Sequence, residues 1–460
     1  MKLENDLGRD EIKQLVVRLA IPSMTAQFVN VLYSVVDRMY IGNIPETGEI
    51  ALAGVGVSGP IVALISAFAY LIGVGGSPLM SIRMGEGNRE EAEKILANSF
   101  LMLAVISAAI TVVMYLAKGW ILRQFGASEE IFPYADRYFT IYLMGTIFAL
   151  MAVGMNQFII CQGFARTGML SVALGAVMNI ILDPVFIFVF HMGVAGAAAA
   201  TVISQFASCL FVLRFLLGTR VPVRLGFGGY EKRIMKRILL LGLSPFLIIA
   251  FDNVLIIALN TALQRWGGAE GDKLITCTTI VQSFMLIITM PLGGITGGTQ
   301  PILGFNFGAR RPGRIREAQK WISLLALAFN TVMFLLAQTV PQYFVYLFTR
   351  NPEYVALTVR AIRIYTLGVI PLALQYEIVD GFTGMGIPSF AMALSMFRKT
   401  LYLGSVAVLP LFLKIEKIFY AEVVSDFGGT AMSILIYLLF IGRILKRCEP
   451  EEYPGTEKEV

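Results

Sequence analysis

Long apolar runs recur from one end of the chain to the other, and they constrain its fold more than any other feature. Twelve such stretches lie at about 15–41, 51–83, 93–117, 133–160, 166–190, 193–217, 237–263, 275–307, 316–339, 354–383, 388–412 and 418–444. Each supplies the roughly 20 apolar residues that a helix needs to cross about 30 Å of hydrocarbon. A bilayer core offers no water to the backbone, so runs of this length close their hydrogen bonds as helices. The expected fold is an all-α integral membrane protein with twelve transmembrane helices. Composition agrees, since 57% of the 460 residues are hydrophobic and only 15% are charged, against about 25% in a typical soluble protein.

The chain reads as a duplication. Pro22 in LAIPSM pairs with Pro245 in LGLSPF at an offset of 245 − 22 = 223, and Pro78/Pro301, Gly85/Gly308 and Gly145/Gly368 repeat that offset. After the second span of each half comes an amphipathic stretch, GEGNREEAEK and then GARRPGRIREAQK. Two six-helix halves in the same orientation are parallel repeats, related by a pseudo-two-fold axis along the membrane normal. The expected division is an N-lobe over 1–219, a cytoplasmic connection over 220–236 and a C-lobe with its tail over 237–460. Such a pair of bundles suits alternating access around a central cavity.

The net charge of +6 falls in the loops, where it is better explained by orientation than by nucleic acid. With both termini on one side, that side collects about 24 Lys and Arg against roughly 7 on the other, so it is expected to be cytoplasmic. The N-terminus lacks a short apolar segment with a cleavage site, and no signal peptide is expected. Cysteines 161, 209, 277 and 448 are scattered without a CxxC, which suggests neither a disulfide framework nor a zinc site. GxxxxGK[ST] and HExxH are both missing, and one histidine leaves little for metal or Ser-His chemistry. An enzyme is not expected, nor ATP hydrolysis, nor a cofactor. Energy for transport would come from an ion gradient.

Some polar residues inside the apolar runs need a reason to be there. In NIILDPVFIFVFHMGVAGAAAAT, Asp183 is a carboxylate in a bilayer span, at a cost of roughly 2.5–3.5 kcal/mol if ionised near the centre. Asn179 precedes it by four residues and shares its helical face. Pro184 cannot donate to the Ile180 carbonyl, which leaves a backbone oxygen free beside the carboxylate. After a break at His191–Gly193, the small residues of GVAGAAAAT let a second helix approach and deliver the Thr201 hydroxyl. Hydrogen-bonded glue between helices is the bland reading of such residues. A cation site is the sharper one, since an intramembrane acid is a functional candidate by default.

Other residues join the list. The first span carries a stripe of Gln27, Asn30, Tyr33, Ser34 and Asp37 on one face, which must look into the protein or a water-filled cavity. Asp37 lies past the helix middle and so in the outer half of the membrane. Candidate substrate-binding residues are Gln27, Asn30, Tyr33, Asn156, Gln162, Asp252 and Glu377. Asp380, one turn from Glu377, is equally readable as an interfacial residue. Arg398 and Lys399 are expected to snorkel or to pair with an acid, and His191 to be a loop residue.

These stretches together resemble the multidrug and toxic compound extrusion (MATE) family. LYSVVDRMYIG is similar to its first-helix motif, NIILDPVFIFVFHMGVAGAAAAT to its fifth-to-sixth-helix signature, and IRMGEGNREEAEK and FNFGARRPGRIREAQK to its inter-helix loops. GFARTG and GFTGMGIPSFAMALSMFR resemble its turns between helices four and five and ten and eleven. The likeness spans about residues 15 to 445. It implies two V-arranged lobes in the plasma membrane, exporting organic, often cationic drugs against Na⁺ or proton entry, with a monomer expected. Family members with an N-lobe cation site hold the ion by a first-helix Asp, a fifth-helix Asn and Asp, and a sixth-helix Thr, which Asp37, Asn179, Asp183 and Thr201 match. Other members use acids in the seventh and tenth helices; here Asp252 is only near the seventh-helix position, and Glu377 and Asp380 do not clearly align. Two carboxylates in a poorly hydrated lobe cannot both stay ionised without a compensating cation. An all-oxygen set suits a hard cation, so Na⁺ is favoured, with a proton possible on the same pair. The alternatives are a flippase for a lipid-linked saccharide, which calls for cavity-facing Arg or Lys, and a membrane assembly subunit without transport.

Overall fold

The computed structural model describes residues 4–125, 127–267 and 271–446, and among these residues every regular element is helical. In the first half these are α1 (Ile12–Gly42), α2 (Gly48–Gly85), α3 (Arg89–Gln124), α4 (Phe132–Met144), α5 (Thr146–Ile160), α6 (Ala165–Pro184) and α7 (Val194–Leu217). The second half runs through α8 (Lys232–Gly267), α9 (Gly271–Gly308), α10 (Pro312–Thr339), the short α11 (Pro341–Val345), α12 (Pro352–Tyr365), α13 (Val369–Gly384), α14 (Pro388–Phe412) and α15 (Tyr420–Lys446).

Among the described residues, ten helical segments are long and apolar enough to cross a membrane, and α4 with α5 makes another around a 56° bend. The twelfth crossing is α14, whose 25 residues reach about 37 Å and whose apolar run is interrupted by Arg398 and Lys399. Every expected span therefore has its helix. The bend between α4 and α5 falls at Gly145, and a 3₁₀ turn at Thr366–Gly368 joins α12 to α13. Gly145 and Gly368 are repeat partners with one packing reason. A Cβ at Gly145 would collide with Val202 of α7, and one at Gly368 with Asp426 of α15.

Packing follows the duplication. α1 lies on α9 and α2 on α8, which are equivalent pairs when the first half is laid on the second. Inside the lobes α6 packs on α1 and α7 as α14 packs on α8 and α15. Large apolar side chains such as Leu116, Trp120, Phe412 and Leu438 stand outward, which is the lipid-facing arrangement of a membrane protein.

Both described ends of the chain share a face, since Leu7 and Leu445 belong to one apolar cluster. On that terminal side the lobes meet backbone to backbone. A Cβ at Gly85 would stand 2.8 Å from the Phe305 carbonyl carbon, and one at Gly308 would stand 2.8 Å from that of Ile82. Gly75 and Gly242 make a similar crossing between α2 and α8. The lobes are thus closed on the terminal side.

A strap of residues 5–10 crosses the closed side. Asn5 Nδ2 donates to the Gly163 carbonyl of the N-lobe at 2.7 Å. From the C-lobe, Asn306 Nδ2 donates to Leu7 O at 3.1 Å, Arg311 to Gly8 O at 2.7 Å, and Arg314 to Asp10 O at 2.8 Å.

Candidate functional site: a buried cluster of oxygens in the N-lobe

Asp183 and Pro184 end α6, and the chain continues as a wider π-helical turn over Val185–Val189. Pro184 has no N–H to offer Ile180, so the four-residue ladder cannot continue through it. Phe190 N instead donates five residues back, to Val185 O at 2.9 Å. His191, with φ 53°, and Gly193, with φ 56°, then reverse the chain into α7. His191 is exposed in this break, as a loop residue. A side chain at Gly196 would meet the Phe186 backbone at 2.7 Å, so the small residues opening α7 do allow the close approach that brings Thr201 to α6.

The four expected cation residues come together between α1, α6 and α7. Asn179 Nδ2 donates to Asp183 Oδ1 at 3.1 Å and to Thr201 Oγ1 at 3.3 Å. The Asp37 carboxyl lies within hydrogen-bonding reach of Asp183, and Asp183 itself is fully buried. Asp37 Oδ1, Asp183 Oδ2 and Asn179 Oδ1 are buried without any hydrogen-bond partner. Among the described residues neither carboxylate has a lysine or arginine in ion-pair range, and no three His, Cys, Asp or Glu side chains converge as a metal cluster. The pocket is rich in acceptors and poor in donors. Three unsatisfied buried oxygens of this kind would each cost about 1–3 kcal/mol if left so. Tyr33 of α1 and Tyr138 of α4 lie in electrostatic range of both carboxylates, and Tyr138 stacks on Tyr142.

The remaining candidates are dispersed. Gln27 and Asn30 lie half-buried on α1, with Gln27 Oε1 unpartnered. Asn156 Oδ1 accepts from Ser171 at 3.2 Å, which ties α5 to α6. Gln162 turns to the connection between the lobes, accepting from Val223 N at 2.9 Å and donating to Phe158 O at 3.1 Å. Glu377 is buried against Gln319 and Ser323 of α10. Asp380 points the other way, to Gln300 of α9 at 3.0 Å and to Thr296.

The C-lobe holds a second ionisable cluster between α8, α14 and α15, the repeat equivalents of α1, α6 and α7. Asp252 pairs with Lys399. Arg398 binds Glu422 at 2.6 Å and Asp426 at 2.9 Å. Arg398 and Lys399 thus pair with acids rather than snorkel. Sequence reasoning did not single out Glu422 and Asp426; two acids one helical turn apart at the start of an apolar span were the available signal.

This architecture and cluster have known counterparts. The MatE family model matches residues 22–185 and 249–404, one segment in each half. The chain belongs to the MATE family. Among curated relatives, the multidrug export protein MepA of Staphylococcus haemolyticus is 25% identical over 350 residues, 75% of each chain. MepA of Staphylococcus aureus is 23% identical over 353 residues, 76% of each. The fold superposes with a TM-score of 0.89 on an outward-facing multidrug resistance MATE family transporter of the MOP superfamily, at 24% identity, covering 96% of this chain and 98% of the other. A MOP superfamily transporter from Pyrococcus furiosus gives the same score and identity over 95% of this MATE chain and 98% of its own.

Proposed function

We propose that this MATE protein is a secondary antiporter that exports amphipathic organic cations in exchange for Na⁺ or H⁺, by rocking its lobes about the central cleft. The observation that carries this reading is the donor-poor cluster of Asp37, Asn179, Asp183 and Thr201. Its unpartnered oxygens call for a cation, and the charge it lacks is what an ion gradient supplies. A proton needs only the carboxyl pair, whereas Na⁺ uses the amide and hydroxyl oxygens as well. The presence of Asn179 and Thr201 therefore favours Na⁺, with protons competing at the same acids. An inward cation gains about 2.3 kcal/mol per charge per 100 mV, which helps drive export. The names of the MepA relatives agree with drug cargo. The excess of Lys and Arg supports a plasma-membrane protein with its terminal side in the cytoplasm, so the closed seam described above would face inward. A lipid-linked saccharide fits less well, because Arg398 and Lys399 are already paired with acids and leave little positive charge for a pyrophosphate.

The test is dye efflux from proteoliposomes with sodium and pH gradients imposed separately. Asp37→Asn and Asp183→Asn should each abolish coupled export of an ethidium-like dye. Thr201→Val should weaken sodium dependence more than proton dependence. Wild-type rates from either Asp→Asn variant under both gradients would make this cluster structural glue.

A further inference from the structure

The two lobes place ionisable groups between equivalent helices but charge them in opposite ways. In the N-lobe, α1, α6 and α7 enclose carboxylates that, among the described residues, have no lysine or arginine in ion-pair range. In the C-lobe, α8, α14 and α15 enclose carboxylates together with Lys399 and Arg398. The C-lobe therefore carries, covalently attached, the positive charge that the N-lobe lacks.

The two basic residues are not equivalent. Arg398 is committed to two acids at once, and both of those lie deep between α14 and α15. Among the described residues Lys399 has one ion-pair partner, Asp252, and the pair is lopsided. The Lys399 side chain is 6% exposed, whereas that of Asp252 is 56% exposed. Asp252 lies 14 residues beyond Ile238, within about 40° of the same helical face. Ile238 packs against Gly75 of the N-lobe, so Asp252 occupies the same side of α8 farther along, and its exposure shows that the N-lobe does not cover it there. A carboxylate this exposed at membrane depth must face the watery cleft, since hydrocarbon would not tolerate it.

We propose that Lys399 is a built-in competitor for cationic cargo: its tethered ammonium occupies Asp252 from behind, and an organic cation entering the cleft displaces it to bind. Lys399 is then a specificity-determining residue. It raises the threshold for weakly bound cations, and it keeps the C-lobe carboxylate neutralised when the cleft is empty. This inference rests on the organic-cation reading above, and the experiment separates the two.

The experiment measures ethidium binding to the full chain in lipid nanodiscs by fluorescence anisotropy, with an uncharged naphthylamine dye as control. Lys399→Met should tighten ethidium binding by about five- to tenfold, the equivalent of losing one half-buried ion pair as competitor. Lys399→Arg, which keeps the charge, should stay near wild type. Asp252→Asn should weaken binding, and in that background Lys399→Met should have no further effect. The uncharged dye should not distinguish the variants. The competitor role is overturned by unchanged or weaker ethidium binding in Lys399→Met. It is equally overturned by tightening that persists with Asp252→Asn or extends to the uncharged dye. If Asp252→Asn does not fold, the contrast of Lys399→Met with Lys399→Arg on the two dyes decides. A folded wild-type chain that binds the uncharged dye but no organic cation overturns the cargo reading, whatever Lys399 does.

Discussion

At Gly85 and Gly308 the lobes meet backbone to backbone on the terminal side, and adding one methyl group at either should prop the seam open. At Gly85 the new Cβ would meet the Phe305 carbonyl, with its carbon at 2.8 Å and Ala309 N at 2.9 Å; at Gly308 it would meet Ile82 in the same way. The obstacle is helix backbone on both sides, so no rotamer relieves it and the helices must move apart by about 1 Å. Overpacking of this kind costs about 1–3 kcal/mol, which shifts the balance away from the closed terminal side by roughly five- to 150-fold. Cys161 reports the opening, because it is buried on that side, next to the Gly163 carbonyl that Asn5 holds. With Cys209, Cys277 and Cys448 replaced by alanine, maleimide should label Cys161 faster in both Gly85→Ala and Gly308→Ala. The two effects should match within a small factor, since the sites are repeat equivalents. They should not simply add in the double variant, because the sites touch across one seam. Wild-type labelling rates in both variants would show that this closure is not the tight state of the cycle. A large effect from one glycine alone would refute the two-fold equivalence.

The strap and the C-lobe cluster give further tests. Arg314→Ala removes the bonds from Arg314 to Asp10 O, Leu7 O and Asn306. Hydrogen bonds to charged groups are worth about 1.5–3 kcal/mol, so the amides of residues 8–10 should exchange faster by mass spectrometry; unchanged protection would refute the strap. Arg398→Met leaves Glu422 and Asp426 buried without their counter-charge, at an expected cost of about 3–5 kcal/mol. Its Tm should fall and recover when Asp426→Asn is added; a variant as stable as wild type would mean that water already reaches the cluster.

The twelve crossings, their pairing into repeats and the residues worth suspecting were all legible in the chain before it folds. Apolar length is a local property, read by hydrocarbon one segment at a time, so it needs no knowledge of neighbours. The constant offset of 223 residues needs only the chain compared with itself, and the side-by-side placement of Asn179 and Asp183 only the pitch of a helix. Pro184 announced an unpaired carbonyl at Ile180, though not that the helix would widen into a π turn. Tertiary structure alone decided which way the polar residues face and what they meet. Asp252 and Lys399 are 147 residues apart, and nothing in either neighbourhood foretells their pairing. Gln162 and Asn156 read as cavity residues in an apolar context, yet packing turns one to the connection between the lobes and the other to Ser171. Glu377 and Asp380 share a helical turn and still point to different helices. The direction of a buried polar side chain depends on the rotation of its helix against several others. That rotation is set by how all of their surfaces fit together, a sum over distant contacts that no local stretch of sequence contains.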